Sequence, residues 1–414
     1  MTSDLPSPGV AGPDLPNPLE ALSLDQLRTR TSEKWRRYSD DILPLWVAEM
    51  DVVPARPVID VVHRAMTTGD TGYPSGDVYA QALQEFASRR WDWDGFETDR
   101  TVTVPDVMNG IVAALNVIAD PTDAVIVCSP VYPPFYAYVR RTGRRVLEAP
   151  LGPDGRMDPE AIRAAFAEAR TTSANPVLLL ANPHNPTGVA HRPDELAAVA
   201  GLAREYGGRV ISDEIHAPLV LDGSRFTPFL SVPGAENGFS VFSASKAWNL
   251  PGLKAAVLAA GPEAAAEIRR VPATVTAGAS HLGILAHTTA LREGGDWLEA
   301  LLKGLGANRD LVFSLVQQHL PGVKVRRPEA TYLAWLDCTG LELPDAPADS
   351  PARREGLSGP SAFFFDRAGV ALNDGAAFGT GGRGCARLNF GTSAAILHEA
   401  IDRMGRALES CCRG

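Results

Sequence analysis

Lys246 sits in the run Ser243-Ala244-Ser245-Lys246-Ala247-Trp248-Asn249-Leu250-Pro251-Gly252-Leu253-Lys254, directly after the apolar, strand-like stretch Phe239 to Phe242. An amine at the end of a buried strand is a candidate for Schiff-base chemistry. Burial and nearby positive charge lower a lysine's pKa and free its lone pair to attack a carbonyl. Lys254, eight residues on, could supply that charge while also holding a phosphate. The small residues around Lys246 would let a flat ring approach the backbone. Taken alone, a lysine after Ser-x-Ser is ordinarily a solvated surface residue.

Three further segments change that balance. Asn182-Pro183-His184-Asn185-Pro186-Thr187-Gly188 follows the apolar run Val177 to Ala181, and Ser212-Asp213-Glu214-Ile215-His216 follows the strand-like Arg209-Val210-Ile211. Near the C-terminus lies Arg387-Leu388-Asn389-Phe390-Gly391. In sheets of parallel strands, ligands collect beyond the strands' C-terminal ends. Asn185, Asp213 and Lys246 each fall just after a strand candidate, so the three are expected to meet in one site.

In order and spacing these segments resemble the fold-type I pyridoxal-phosphate enzymes of the aspartate aminotransferase superfamily. The stretches Leu43 to Asp51, Ser129 to Tyr136 and Asp213-Glu214-Ile215-His216 narrow the likeness to the MalY/PatB family of cystathionine β-lyases and related carbon–sulfur lyases. It runs from about Arg28 to the C-terminus. The resemblance implies pyridoxal 5'-phosphate as cofactor, bonded to Lys246, with Asp213 holding the ring nitrogen protonated and Asn185 donating to the phenolic oxygen. Asp213 could otherwise be a helix cap, and Asn185 also suits a turn before Pro186. Tyr132 would stack on the ring, unless it is a plain core tyrosine. His216, where related aminotransferases commonly have tyrosine, would tune Asp213 or the phenolic oxygen.

The phosphate end calls for amides, hydroxyls and cations. The backbone N–H groups of Gly110, Ile111 and Val112 are expected at the N-terminus of an apolar helix, a favourable place for an anion. Ser243, Ser245 and Lys254 would complete the set, and Tyr73 resembles the tyrosine that reaches a neighbouring subunit's phosphate, which implies a homodimer. Arg387 resembles the arginine that grips the substrate's α-carboxylate in a bidentate pair, with Trp46 beside the substrate. Lys246 would then remove the α-proton as general base.

The implied activity is α,β-elimination on L-cystathionine or a related cysteine S-conjugate, giving a thiol, pyruvate and ammonia. An aminotransferase acting on a bulky or aromatic amino acid would use the same Lys246, Asp213 and Arg387. A regulatory or binding protein that keeps the fold is the reading from a different class.

The elements that must position these residues follow from hydrophobic pattern. Strand candidates are Val102-Thr103-Val104, Ala124 to Cys128, Arg145-Val146-Leu147, Val177 to Leu180, Val210-Ile211 and Phe239 to Phe242, with amphipathic stretches such as Ile111 to Ala119, Pro159 to Ala169 and Pro193 to Tyr206 between them. That alternation predicts an α/β fold with a mostly parallel sheet covered by helices. From about Asp296 the pattern changes to a long helix and short strands, predicting a smaller α+β domain. The expected division is a mobile arm over 1–27, a large cofactor-binding domain over 55–295, and a small domain made of 28–54 with 296–414.

Composition excludes several alternatives. The chain has 414 residues and a formal charge of −10, which argues against a nucleic-acid surface. No apolar run approaches the roughly 20 residues needed to span a bilayer, and no secretory signal pattern opens the sequence. Five cysteines without metal-ligand spacing fit a reducing cytoplasm. Gly379-Thr380-Gly381-Gly382-Arg383-Gly384 satisfies G-x-G-x-x-G. It leads into a strand rather than a helix, so it is read as a loop and not as a nicotinamide site.

Overall fold

The computed structural model describes residues 15–412. Seven strands form the large sheet: β1 (Thr101–Val104), β2 (Ala124–Val127), β3 (Arg145–Glu148), β4 (Val177–Ala181), β5 (Arg209–Asp213), β6 (Phe239–Phe242) and β7 (Ala256–Ala260), in spatial order 1-7-6-5-4-2-3. Neighbours from β6 to β3 pair in parallel, whereas β7 runs antiparallel to both β6 and β1. Every residue of β2, β4, β6 and β7 is buried, as expected of strands covered on both faces. Side chains alternate between two cores. Val125, Val127, Leu179 and Val241 face Ile111 and Leu115 of the helix Val107–Ile118. Ala124, Ile126, Leu178 and Leu180 face Phe166 and Val199 of the helices Pro159–Arg170 and Pro193–Glu205.

β7 is absent from the strand candidates read off the sequence. Its run Ala-Val-Leu-Ala-Ala has few β-branched residues and reads equally as helix. The register places Asp213 opposite Ala181 on one side and Val241 on the other. The carboxylate thus stands at the C-terminal rim of the sheet's middle strand.

A second, four-stranded antiparallel sheet has the order Asn373–Asp374, Cys385–Asn389, Leu333–Asp337, Lys324–Val325. The helices Gly295–His319, Gly359–Ala368 and Ala394–Cys412 share its core, where Leu333, Leu388, Phe364, Leu301 and Leu397 are buried together. The N-terminal segment joins this half of the fold: Leu43–Pro44 pairs in parallel with Val370–Ala371, and Leu19, Leu27 and Trp35 belong to the same apolar cluster.

Of the arm expected over 1–27, residues 1–14 lie outside the described residues, and the remainder is packed. Asn17 caps a short 3-10 helix by accepting from the Leu19 N–H at 3.1 Å, Leu19 is fully buried, and the Asn17 carboxamide fills the space over Gly304 in the long helix. Ser23 and Gln26 form a capping box on the next helix. Among the described residues, no helix is long and apolar enough to cross a membrane.

Candidate active site

Immediately after β6 the chain turns through Ser243 and Ser245. The Ser243 hydroxyl donates to the Ala255 carbonyl at 2.7 Å and accepts from the Ser245 N–H at 3.2 Å, which pins the turn. Lys246 projects from it, and its Nζ donates to the Ala48 carbonyl at 2.6 Å. Burial and the Arg387 guanidinium push the amine down to about 8, against the opposing pull of Asp213 and Glu49. A neutral amine is therefore present near physiological pH, the form that attacks a carbonyl.

Asp213 ends β5 and is 8% exposed. Burial raises its carboxyl to about 7, although the Ile215 N–H and the Lys246 charge both favour the carboxylate. A cation placed against it would return it to the ionised state. His216 is buried with Nδ1 unpartnered, its ring edge-on to Tyr332 at 5.9 Å. Burial, then the charges of Lys246 and Arg387, hold that imidazole neutral.

Arg387 lies on the strand Cys385–Asn389 and is 2% exposed. Nη1 donates to Asn185 Oδ1 at 3.0 Å and Nη2 to the Trp46 carbonyl at 3.1 Å, while Nε has no partner. The Phe378 ring lies 5.2 Å from its carbon centre. Among the described residues, no carboxylate pairs with it. Burial without a counter-ion lowers the guanidinium to about 10, and buried charges are ordinarily paired. Because Asn185 Oδ1 is occupied by Arg387, the carboxamide NH2 is left as the donor. Tyr132, whose N–H donates to the Asn185 carbonyl at 3.1 Å, caps the helix Pro133–Arg141, and burial pushes its phenol up to about 12. Trp46 is half-buried beside Tyr38, with its indole N–H unpartnered.

The phosphate end differs from expectation. The helix begins at Val107, capped by Asp106, and the Gly110 N–H already donates to the Asp106 carbonyl at 2.9 Å. Ile111 and Val112 lie deeper in the helix, so their amides are committed to its ladder. The free N–H groups are those of Val107 and Met108, which have no intrahelical acceptor. Gly110 has a packing role instead: a Cβ there would meet Val241 Cγ1 at 2.9 Å. Lys254 stands at this helix end in an ion pair with Asp106 at 2.9 Å. The donor of Ser243 is taken by Ala255, leaving Ser245 as the serine with an uncommitted hydroxyl. Tyr73 is 94% exposed.

Several contributors were invisible to motif reading. Tyr332 is buried and donates to the same Ala48 carbonyl at 3.0 Å. Asn249 and Asn389 grip the segment 46–51 through backbone groups. A tyrosine or asparagine bonded to main chain leaves no spacing signature. Pro105-Asp106 was a readable cap signal for the earlier helix start.

The residues fit a planar, anionic, carbonyl-bearing cofactor. They offer a partly neutral amine, a buried carboxyl, a carboxamide donor, two free amides with a lysine at a helix N-terminus, and a second buried cation awaiting an anion.

The aminotransferase class I and II family profile matches residues 41–404. A Mycobacterium leprae protein named "Putative cystathionine beta-lyase" is 58% identical over 95% of this chain and 98% of its own length. The Corynebacterium glutamicum protein named cystathionine beta-lyase is 34% identical, over 93% of this chain and 99% of its own. A Corynebacterium diphtheriae structure described as a "putative plp-dependent beta-cystathionase" superposes with a TM-score of 0.85 at 34% identity, covering 94% of this chain and 98% of that one.

Proposed function

This chain belongs to the aminotransferase class I and II family, and on that footing we propose that it is a pyridoxal-phosphate-dependent carbon–sulfur β-lyase. It cleaves L-cystathionine or a related cysteine S-conjugate to a thiol, pyruvate and ammonia. The relatives' names support the choice of reaction. The observation that carries the site assignment is that the buried Lys246 amine and Arg387 guanidinium meet the same segment, Lys246 Nζ on the Ala48 carbonyl and Arg387 Nη2 on the Trp46 carbonyl, with Asn185 on the same guanidinium.

When bound, pyridoxal phosphate supplies an electron sink that acidifies the substrate's α-hydrogen and lets its β-substituent leave. Lys246 would hold the cofactor, with Asp213 at its ring nitrogen, Asn185 and His216 near its phenolic oxygen, and Tyr132 against its face. The Val107 and Met108 amides, Ser245 and Lys254 would hold its phosphate. Arg387 binds the substrate's α-carboxylate with the fork that Asn185 and Trp46 orient. Anchoring that carboxylate sets the rotation about Cα, so the α-hydrogen points at Lys246 Nζ. With its pKa near 8, that amine accepts the proton. A thiolate is then a better β-leaving group than an alkoxide, because its conjugate acid has a pKa of about 8.5.

The domain division expected from sequence is part of this reading, with 55–295 as the large unit and 28–54 with 296–414 as the small one. The pairing of Leu43–Pro44 with Val370–Ala371 supports it. So is a homodimer. Val53, Ile59, Met66 and Tyr73 account for four of the exposed large apolar side chains, and they crowd one stretch of the chain that a second copy would cover. The free cysteines Cys128, Cys338, Cys385 and Cys411 are compatible with the reducing cytoplasm.

The test supplies purified protein with L-cystathionine and follows pyruvate and free thiol. Release of both, lost in Lys246→Ala, is expected. A keto acid formed only with an added amino acceptor, and no pyruvate, would make the protein a transaminase instead. An absorbance spectrum without a bound-cofactor band would favour a scaffold role.

A further inference from the structure

The segment Trp46 to Asp51 crosses the site as a strap, anchored through its side chains by Asp51 on Lys34 and Trp35 and by Glu49 on Ser32. Its Ala48 carbonyl receives both Lys246 Nζ at 2.6 Å and Tyr332 Oη at 3.0 Å. Its Trp46 carbonyl receives Arg387 Nη2 at 3.1 Å. The strap therefore touches both cations on which the reaction rests.

Its backbone is fastened by two asparagines, alongside Lys34 Nζ on the Glu49 carbonyl at 3.1 Å and Arg30 Nη1 on the Met50 carbonyl at 3.3 Å. Asn389, two residues beyond Arg387 on the same strand, donates through Nδ2 to the Val47 and Glu49 carbonyls, each at 2.7 Å. Asn249, three residues beyond Lys246, pairs with both backbone groups of Met50. Its Oδ1 accepts from the Met50 N–H at 2.8 Å, and its Nδ2 donates to the Met50 carbonyl at 2.9 Å. The Asn249 backbone is left-handed, with φ of +54°, a conformation that non-glycine residues seldom adopt and that asparagine tolerates best. That geometry turns the carboxamide back toward the strap.

We propose that Asn249 is a positioning residue: by clamping Met50 it ties the Lys246 loop to the strap. The separation of the Lys246 amine from the Arg387 guanidinium is thereby fixed to suit the α-hydrogen and α-carboxylate of one amino acid. The inference rests on the lyase reading for what the two cations do, and on the hydrogen bonds alone for how they are held. Asn389 sets the strap against the arginine strand, and Asn249 sets it against the lysine loop. Loosening the second contact leaves carboxylate binding in place and misplaces the base, which costs turnover rather than affinity.

The test combines hydrogen–deuterium exchange on the intact holoenzyme, read on peptides spanning residues 45–52, with kinetics of pyruvate release from L-cystathionine. Asn249→Gly retains the left-handed backbone without strain and removes both bonds. It is expected to speed exchange of the Met50 amide about tenfold, the equivalent of one lost hydrogen bond. It is expected to lower kcat about tenfold to a hundredfold while KM stays within about threefold. Asn249→Asp, of the same shape, keeps the acceptor and loses the donor. Met50 should stay protected there, and kcat should fall between the other two. Should Asn249→Gly fail to fold, Asn249→Asp decides: an intermediate kcat with unchanged KM supports the clamp. Wild-type kcat in either variant, or unchanged exchange over 45–52 in Asn249→Gly, overturns it. A wild-type protein that releases no pyruvate would sink the lyase reading alone, since the exchange comparison needs no substrate.

Discussion

Replacing Arg387 by methionine separates the guanidinium's role in binding from its effect on folding. In binding, the side chain offers its fork to the substrate's α-carboxylate. Charge-assisted hydrogen bonds contribute about 1.5–3 kcal/mol each, so two of them account for about 3–6 kcal/mol, or about 10²- to 10⁴-fold in kcat/KM. In folding, the same cation is a burden. Burial lowers it from the ordinary guanidinium value to about 10, a destabilisation of about 3 kcal/mol at about 1.36 kcal/mol per pH unit. The sign follows from the protonated form being disfavoured in the fold. The cost is complete below about pH 10 and fades as pH rises toward the ordinary guanidinium value. Against this, Arg387→Met strips Asn185 Oδ1 and the Trp46 carbonyl of their donors, which costs about 1–3 kcal/mol for each group left dry. The opposing effects nearly cancel. The variant should therefore melt within a few degrees of wild type by circular dichroism, while kcat/KM for pyruvate release collapses. A kcat/KM within tenfold of wild type would show that the carboxylate docks elsewhere. A loss of more than about 10 °C in Tm would show that the cation holds the fold rather than the substrate.

Three further outcomes are expected. In cofactor-free protein, the labelling rate of Lys246 by an amine-reactive reagent, read by peptide mapping, should climb with pH and level off near 8. An ordinary lysine goes on climbing to about 10.4, and that behaviour here would contradict the depressed value. Lys34→Met leaves Asp51 buried with only the Trp35 indole N–H and a distant Arg30, so thermal unfolding should report a loss of about 3–5 kcal/mol. Tyr73→Ala should leave the melting temperature unchanged, because its side chain is exposed, yet speed cofactor loss on dialysis. Unaltered retention would remove Tyr73 from the neighbouring phosphate site.

What sequence reveals about this site depends on which part of a residue acts. Lys246, Asp213 and Asn185 act through their side chains and sit where strands end, so hydrophobic pattern alone brings them to one rim. Arg387 falls within a strand of the second sheet, and only its neighbours in the motif mark it out. The strap is different. Its functional atoms are the carbonyls of Trp46 and Ala48, and every residue carries a carbonyl, so type and spacing say nothing about which ones are used. The phosphate end was misread by a few residues for a related reason. Amides are identical along the chain, and only the cap at Asp106 decides which of them stay free. β7 escaped because alanine-rich runs favour neither period, and its antiparallel direction is a property of its partners.

The pairing of Leu43–Pro44 with Val370–Ala371, together with the Leu45 carbonyl accepting from Asn389, has a consequence for biosynthesis. The strap is translated long before the strands that seat it. Joining chain ends so far apart carries a closure entropy that grows with the intervening length, and such long-range pairings form late. The central sheet can assemble while the polypeptide is still emerging, whereas the strands that seat the acceptor of the reactive amine follow it. A nascent chain cut short before residue 370 would thus lack the Val370–Ala371 pairing and the Asn389 bonds that seat the strap.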